Sequence, residues 1–455
     1  MTFLGWGGRP ERLDPYYWLY TMYHSSLAKQ GGRNIPHYRN PEYDALADQF
    51  ATVADLDARR DFAFQLQDIA AREVPIIPFF RRAPHYGHSN TELKNVQAMP
   101  GMGVQNFWNW INVEPLGDNR DVRYGWPKDF ILLNPLSTLQ GNDHAVLRLV
   151  YDSLYRLSLK GEMTPWAATG FNEVNSTTFD VTLRDDMKWH DGEPLTVEDV
   201  KFTYDLIKSS SAPYSGWRLK QVDRIEILDA NTVRFVLSEP FAPFVTYALA
   251  EVFILPKHIW EPKVDELGVE EILNWDNLPL VGSGPFKFDY WRSGVEAKLT
   301  ANKDYFHPPK IDSYIHVPYG SVATLVEGLA AGEINISGWA LEPIQIERIR
   351  ALEDLDLVTA PELGLRTIHL NLEMEPMDRV EVRRAMASAV PKDEFVELVM
   401  EGYGAPAYNV VAPTNVFWHN PDTEKLGSNP ELARQILTEA GYTWDDQGRL
   451  HYPAN

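Results

Sequence analysis

Cysteine is absent from this chain of 455 residues, and acidic side chains outnumber basic ones. Without cysteine the protein has no disulfide, no thiol nucleophile and no zinc site built on thiolates. The 42 Lys and Arg residues against 64 Asp and Glu residues give a formal net charge of −22 at pH 7. A surface this acidic repels phosphate backbones and anionic lipid, which disfavours a nucleic-acid partner.

Long hydrophobic runs are also missing. No stretch of about 18 apolar residues occurs, so we expect no membrane-spanning helix. The segment after Met1, TFLGWGGRPE, has neither the basic region nor the apolar region of a signal peptide. We therefore expect a chain that starts within a strand and has no signal peptide of its own.

Common catalytic motifs are absent as well. The sequence contains no G-x-S-x-G, no H-E-x-x-H and no phosphate-binding glycine loop. The histidine pair His85 and His88 has the i, i+3 spacing that could bind a metal on a helix. Pro84 and Gly87 argue against a helix there, so we expect no metal at these histidines. Because the catalytic motifs are missing as well, we also expect no cofactor and no enzyme activity.

Apolar and aromatic residues are plentiful, at 44% hydrophobic with 14 Trp, 21 Tyr and 20 Phe. They suffice for the cores of more than one lobe and leave rings to stack on a ligand. Helical and strand patterns are mixed, which predicts an α/β fold, or mixed α+β. Predicted helices are 55–72, YRNPEYDALADQFAT, HAVLRLVYDSLYRL, VATLVEGLA, VEVRRAMASAV and NPELARQILTEAGY. Predicted strands are MTFLGW, VPIIPFF, VQNFWNWINV, DVRYGW and TTFDVTLRDDMKW, with DRIEILDANTVRFVLSEP as a hairpin.

The segment WHDGEPLTVEDVKFTYDLI, from Trp189 to Ile207, carries several acids beside a histidine. Its Asp-Gly pair is a strong turn signal, and Thr196 with Asp199 has the spacing of a capping box. Adjacent residues such as His190 and Asp191 seldom point at one reacting centre. We therefore interpret the acids as a turn and a helix cap, with an acid–base site as the alternative.

Several motifs together resemble the family 5 extracytoplasmic solute-binding proteins. These proteins are the dipeptide, oligopeptide, nickel and oligosaccharide receptors of ABC importers. The segments that carry the resemblance are LNPL, PWAATGF, FDVTLRDDMKWHDGEPLTVEDVKFTYDLI, VGSGPFKF, HLNLEMEPMDRVEVRRAMASAVPKDEFV and ARQILTEAGY. The resemblance covers nearly the whole chain, apart from stretches such as 208–217.

The order of the segments departs from that of the family. Residues 121–455 look like the family's N-terminal three-quarters, whereas residues 1–114 look like its C-terminal end. The order therefore resembles a circular permutation, with one piece of the larger lobe missing. The alternative is a fragment that joins the tail of one receptor to the head of another. EPLGDN is interpreted as the linker in either case.

The fold implied by the resemblance is a two-lobed periplasmic-binding-protein clamshell with an extra insert domain, in which a ligand is trapped between the lobes. The expected second lobe combines residues 1–85 with residues 363–455. Residues 86–133 would supply terminal strands and the linker to the first lobe. The insert domain would occupy 134–222, and the first lobe with its hinge 223–362.

Trp6 is the first candidate for a ligand contact. In the family this Gly-Trp pair ends a strand at the cleft, where an indole can stack on a ligand; the alternative is a core tryptophan. In peptide-binding members an aspartate shortly after this tryptophan pairs with the amino terminus of the peptide. Arg9 stands at that position here, with Glu11 as an alternative match. An arginine suits a carboxylate, a phosphate or a sugar hydroxyl better.

Other candidates come from loops and strand ends that approach the cleft in the family. Each has an ordinary structural alternative, such as a local turn for Asn134 or core packing for the tryptophans. These further candidate ligand contacts are Asn134, Ser137, Trp339, Arg366, Asn371, Tyr403 and Trp418.

The sequence therefore predicts a receptor of an ABC importer that captures a peptide or similar medium-sized polar solute. The expected partners are that solute and the permease subunits, and the expected state is an extracytoplasmic monomer. An oligosaccharide or an opine-type acidic solute is the alternative ligand. Two other classes remain open: an incomplete, non-binding fragment of such a receptor, and a glycosidase that uses paired carboxylates.

Overall fold

The computed structural model describes residues 1–360 and 362–453, and for Pro10 it describes the backbone alone. Its strands, in chain order, are β1 (Thr2–Trp6), β2 (Ile76–Arg82), β3 (His85–Ser89), β4 (Leu93–Lys94), β5 (Glu114–Pro115), β6 (Asp121–Trp126), β7 (Tyr155–Leu157), β8 (Met163–Pro165), β9 (Ala168–Asn175), β10 (Thr178–Leu183), β11 (Val222–Ile227), β12 (Thr232–Leu237), β13 (Phe286–Arg292), β14 (Glu296–Ala301), β15 (Ser313–Pro318), β16 (Ile336–Ser337), β17 (Leu355–Thr359), β18 (Leu365–His369), β19 (Gly404–Pro406), β20 (Thr443–Trp444) and β21 (Leu450–His451). Its α-helices are α1 (Pro41–Thr52), α2 (Leu56–Glu73), α3 (Phe107–Asn112), α4 (Gly141–Val150), α5 (Val197–Ser209), α6 (Lys257–Leu267), α7 (Val322–Ala330), α8 (Pro343–Arg350), α9 (Val380–Ala389), α10 (Lys392–Leu398) and α11 (Pro430–Glu439).

The chain divides into two compact units. Unit 1 consists of Met1–Ala83 and Pro361–Asn455, and unit 2 consists of Pro84–Ala360. The main sheet of unit 1 is antiparallel, in the order β1-β18-β2-β19. Strands from the start of the chain therefore alternate with strands from its end, and neither segment forms this sheet alone.

The helices of unit 1 begin at side-chain caps that the sequence supplies. Asn40 accepts hydrogen bonds from the second and third residues of α1, and Asp55 accepts one from the backbone of α2. Such caps satisfy the free amides of the first helical turn. The helices present large buried rings and aliphatic groups to one core, which includes Trp18, Tyr43 and Phe50.

A buried ion pair joins Arg59 of this core to Asp14, in the loop between β1 and α1. Arg59 of α2 makes two hydrogen bonds to Asp14, at 2.7 and 2.8 Å, and its Nε donates to the backbone oxygen of Phe50 at 3.0 Å. Its guanidinium also lies 5.1 Å from the ring centre of Trp418. Since Arg59 and Asp14 are both buried, the pair holds the loop in one place.

Unit 2 is built on a mixed seven-stranded sheet in the order β13-β14-β15-β6-β16-β3-β17. Its centre is parallel, since β6 pairs in parallel with both β15 and β16, and its flanks are antiparallel. A second, antiparallel sheet has the order β11-β12-β10-β9. The predicted boundary between residues 222 and 223 falls inside β11, so this sheet takes in residues from both sides of it. The finer domain division remains a prediction.

The mixed α/β fold class agrees with the prediction, but two predicted elements were wrong. VQNFWNWINV contains a helix instead of a strand, because Asn106 caps α3 by accepting a hydrogen bond from Asn109. Short apolar runs fit either period, so the cap decided the outcome. The predicted helix in HAVLRLVYDSLYRL ends at Val150, whose backbone oxygen accepts a hydrogen bond from Gly284. The chain then enters β7.

The turn and the cap in the segment around His190 are confirmed. Gly192 has a φ of +102°, and the hydrogen bonds of the Thr196–Asp199 capping box are both present at the start of α5. Asp199 also accepts a hydrogen bond from the backbone of Lys257 at 2.8 Å. The carboxylate of Asp199 therefore accepts backbone hydrogen bonds at the starts of both α5 and α6. These bonds satisfy the carboxylate although it is buried.

Candidate functional site

Trp6 ends β1, and its indole is half-buried. The ring nitrogen donates hydrogen bonds to Oγ1 of Thr367 at 3.1 Å and to Nε2 of His369 at 3.4 Å. The edge of the indole meets the ring of Tyr17, with 6.2 Å between the ring centres. Since its polar atom is already bonded within unit 1, the indole offers an apolar ring surface in a set orientation.

His369 is an acceptor that burial keeps neutral. The residue is 2% exposed, and burial lowers its pKa to about 4. Its Nε2 faces both Trp6 and the hydroxyl of Thr367, which lies 2.9 Å away. Because that nitrogen accepts the indole N–H, the ring carries its proton on Nδ1. The sequence did not lead us to predict Thr367 and His369 as partners of Trp6. The signal was the alternation along β18, where Leu365, Thr367 and His369 are the buried residues.

Arg9 precedes a short 3-10 helix, Pro10–Leu13, and its side chain is half-buried. Arg12 within that helix is buried and donates hydrogen bonds to the backbone oxygen of Gly7 and, at 3.1 Å, to the hydroxyl of Tyr17. The guanidinium of Arg33 also lies against Tyr17, 5.1 Å from its ring centre. Arg12 and Arg33 therefore gather around the ring of Tyr17, which meets the edge of the Trp6 indole.

Arg366 lies on β18 opposite Gly5 of β1. A Cβ at Gly5 would stand 3.0 Å from the guanidinium carbon of Arg366, so the glycine makes room for that side chain along the strand. Near the start of the same strand, burial raises the pKa of Glu362, and the charges of Arg81 and Arg366 act against the shift. Of the predicted residues, Trp6 and Arg366 are thus brought onto one pair of strands.

Trp339 belongs to unit 2, in the loop that follows β16. It is 39% exposed, and its ring meets the ring of Trp126 edge to face at 5.1 Å. Trp126 ends β6 and stacks on Tyr124 at 6.0 Å. These rings stand at the carboxyl ends of the parallel strands β6 and β16, the edge where α/β sheets bind ligands. Trp126 was not among the predicted contacts, although it ends a predicted strand.

Asn134 and Ser137 form hydrogen bonds within unit 2. The amide of Asn134, which is fully buried, donates to the backbone oxygens of Ile272 and Trp275 and accepts from Leu136. The hydroxyl of Ser137 donates to the backbone oxygen of Leu273 at 2.6 Å. These bonds hold the loop before α4, so neither residue is included in the site that we propose below.

The remaining candidates belong to unit 1. Trp418 is 9% exposed and packs against Phe50 in the core, so its ring has a structural role. Asn371 closes a local turn by accepting a hydrogen bond from the backbone of Glu373 at 3.1 Å. Tyr403 is half-buried beside β19. The hydrogen bond of Asn371 and the ring contact of Trp418 with Phe50 thus involve residues other than Trp6.

His190 and Asp191 each have their own hydrogen-bond partners in the structure. His190 and Asp191 are bonded elsewhere: His190 to the backbone of Gly282 and Gly284, and Asp191 to His258 at 2.8 Å. Within residues 1–360 and 362–453, no group of three or more His, Asp or Glu side chains is arranged to hold a metal ion. His85 and His88 lie on β3, where residues three apart point to opposite faces.

Comparison with known proteins agrees with this description. The chain is 29% identical over 323 residues to the oligopeptide-binding protein AppA of Bacillus subtilis, covering 69% of this chain and 58% of AppA. It is 28% identical over 284 residues to the dipeptide-binding protein of Escherichia coli, covering 58% and 52%. The chain thus spans between half and three-fifths of the length of these relatives.

The fold is that of solved two-lobed binding proteins. The structure of AppA from Bacillus subtilis in complex with a nonapeptide matches with a TM-score of 0.57 and 25% identity, over 74% of this chain and 67% of AppA. A family model described as bacterial extracellular solute-binding proteins, family 5 Middle, matches residues 162–454. The chain therefore belongs to the family 5 bacterial extracellular solute-binding proteins.

Proposed function

We propose that this protein is the solute-binding receptor of an ABC importer and captures a peptide or similar medium-sized polar solute. The observation that carries the proposal is the arrangement of Trp6. Its N–H is bonded to Thr367 and His369, so its orientation is set and its ring remains half-exposed. An oriented indole with no polar atom to satisfy is suited to stacking on a solute.

The relatives support the class of solute. AppA of Bacillus subtilis is named as oligopeptide-binding and the Escherichia coli relative as dipeptide-binding. In unit 2, Trp339 and Trp126 supply a second aromatic surface at the carboxyl ends of parallel strands. In unit 1 we assign ligand contacts to Trp6, Arg9 and Arg366. For unit 2, taken by itself, we propose Trp339 as a residue that can stack on a ligand.

We also propose that this receptor catalyses no reaction. The acids and the histidine of the segment around His190 are engaged in a turn, a cap and backbone hydrogen bonds. We further propose that the protein is extracytoplasmic, acts as a monomer and delivers its solute to a membrane permease. No described helix is both long and apolar enough to cross a membrane.

A ligand screen tests the proposal. Peptides of two to nine residues, oligosaccharides and Ni²⁺ are added to the protein, and the unfolding temperature is measured, since a ligand of the folded state raises it. Titration calorimetry then gives the affinity of the best solute. We expect a peptide to bind, and a mannan or cellulose oligosaccharide that binds instead would replace the peptide assignment. No thermal shift with any solute would refute the receptor proposal.

The role of Trp6 is tested with matched variants. Trp6→Ala is expected to weaken solute binding about tenfold, the effect of losing one stacked aromatic group, while Trp6→Phe keeps most of the affinity. Trp444 lies on the short hairpin of β20 and β21, so Trp444→Ala serves as the control. Release of reducing ends from oligosaccharides is assayed in parallel, because turnover would favour the glycosidase class instead.

A further inference from the structure

Arginines cluster around Tyr17 at the end of β1. The guanidinium carbon of Arg12 lies 4.2 Å from the centre of the Tyr17 ring, and that of Arg33 lies 5.1 Å from it. The two guanidinium groups are thus separated by no more than the sum of these distances. Arg9 is close enough for its charge to act on Arg12. In a chain with a net charge of −22, such a gathering of positive charge requires an explanation.

Burial is the main cause that lowers the pKa of Arg12, and the charges of Arg9 and Arg33 lower it further. Tyr17 and Glu11 oppose this shift. Arg9, Arg12 and Arg33 nevertheless bring three positive charges close together. Bringing like charges together in a partly dry site costs free energy that an anion would offset.

One donor of Arg12 has no acceptor among the residues that the structure describes. Arg12 is 8% exposed, and within the described part of the chain its Nε has no hydrogen-bond acceptor. Arg9 is half-buried next to the short helix Pro10–Leu13, and its side chain makes no capping hydrogen bond to the described backbone of that helix. A buried N–H without an acceptor is uncommon in folded proteins and marks a place where a ligand atom can bind.

The cluster adjoins the aromatic platform. Arg12 donates to the backbone oxygen of Gly7, the residue after Trp6, and Tyr17 meets the edge of the Trp6 indole. A solute that stacks on Trp6 would therefore lie near Tyr17 and the guanidinium groups beside it. Planar guanidinium groups match the oxygens of carboxylates and phosphates, with which they form paired, charge-assisted hydrogen bonds.

We propose that Arg9, Arg12 and Arg33 bind an anionic group of the solute, a carboxylate or a phosphate, while the rest of that solute stacks on Trp6. This inference rests on the proposed function and specifies its solute as an acidic one. The alternative explanation is that the arginines only hold the loop against Tyr17. That explanation predicts no dependence of binding on the charge of the solute.

Matched solutes separate the two explanations. Calorimetry compares Ala-Ala-Ala with its C-terminal amide, and a phosphoserine tripeptide amide with the serine tripeptide amide. If the cluster binds an anion, one or both anionic members bind about tenfold more tightly than their neutral partners, as expected for hydrogen bonds between charged groups. The first pair tests the carboxylate and the second the phosphate. If the screen yields a different solute, the comparison is made between that solute and its analogue without the anionic group.

Charge variants locate the effect. Arg9→Gln and Arg33→Gln are expected to reduce the preference for the anionic member at least fivefold, and added salt is expected to weaken its binding. Arg449 is exposed on the hairpin of β20 and β21, so Arg449→Gln is the control for net charge. Equal binding of charged and neutral members, or a preference unchanged in both variants, would overturn the inference while leaving the receptor proposal intact. Absence of binding by every solute in the screen would overturn both.

Discussion

His190 holds the loop at Gly284 in place through both of its ring nitrogens. Its Nδ1 accepts the backbone N–H of Gly282 at 3.2 Å, so Nε2 carries the proton and donates to the backbone oxygen of Gly284 at 3.0 Å. Gly282 and Gly284 lie so close to the backbone of Val150 that a Cβ at either would collide with it. The histidine that resembled a catalytic group therefore fastens a glycine turn to α4.

Stability is expected to fall as the pH drops from about 6.5 to 4. Burial lowers the pKa of His190, His316 and His369 to about 4. Between these pH values the unfolded chain binds protons that the folded chain does not, so the unfolded state gains stability. The loss is roughly 2 kcal/mol for each fully buried histidine.

The measurement is the urea midpoint at pH 7, 6, 5 and 4.5. The variant His369→Gln is expected to show a smaller decrease in that midpoint between pH 7 and pH 5 than the native chain. A decrease of equal size in that variant would contradict the assignment of a titrating role to this histidine.

Lys392 gives a slope of the same sign as the buried histidines, but at higher pH. The residue is 1% exposed, its Nζ donates to the backbone oxygen of Ala407 at 2.9 Å, and burial lowers its pKa to about 7. Between pH 7 and the ordinary lysine value, the unfolded chain is protonated and the folded chain is not. Stability contributed by this site therefore rises across that window.

Lys392→Met is expected to change this dependence. The variant removes the cost of a buried charge, so its stability relative to the native chain is greatest at pH 6 and smallest at pH 9. Thermal unfolding of both proteins at the two pH values measures the difference. A gap between the melting temperatures that does not change with pH would show that Lys392 is not the titrating group.

The ion pair between Arg59 and Asp14 is expected to be essential for unit 1. Arg59→Ala leaves a buried carboxylate without its partner, at a cost of about 3–5 kcal/mol in the free energy of unfolding. Arg60 on the same helix pairs with exposed Asp57 at 3.2 Å, so Arg60→Ala is expected to cost less than about 1 kcal/mol. Chemical denaturation measures both, and similar losses for the two variants would contradict the distinction drawn from burial.

Gly338 is expected to tolerate no side chain. A Cβ there would lie 2.2 Å from the ring of Tyr124 and 2.7 Å from the backbone oxygen of Gly125, and the backbone cannot move aside cheaply. Gly338→Ala should therefore lower the melting temperature by several degrees and displace the neighbouring Trp339. Gly141→Ala is the control, because no described atom crowds its Cβ position at the start of α4. Equal melting temperatures for these two variants would refute the packing argument.

Local structure was predictable wherever a short motif contains its own physical cause. The Asp-Gly turn at Gly192 and the capping box of Thr196 and Asp199 both act within a few residues. The same holds for the alternating hairpin of β11 and β12. VQNFWNWINV was mispredicted because its apolar spacing fits a strand and a helix alike, and Trp110 is buried against Tyr124 and Tyr314 in the helical form.

The candidate site was only partly predictable. The sequence indicated Trp6, Arg9 and Arg366, but it could not indicate that Thr367 and His369 bind the indole nitrogen. Those contacts join residues more than 360 positions apart and exist only because β1 pairs with β18. Asn134 and Trp418 were predicted as ligand contacts, but the structure gives them partners inside the protein. The sequence shows that Asn134 lies in a loop and that Trp418 is aromatic, but it does not show which residues will surround them in the fold.

By itself, the sequence determined the family, the mixed α/β class and the helix and strand signals that depend on neighbouring residues. The family followed from the resemblance of several sequence motifs, whereas the fold class and the helix and strand signals follow from composition, periodicity and capping, which are local in the chain. Tertiary structure alone decided which strands share a sheet, which histidines stay neutral and where the arginines gather around Tyr17. Such features depend on burial and on contacts between distant segments, and both arise only when the chain is folded.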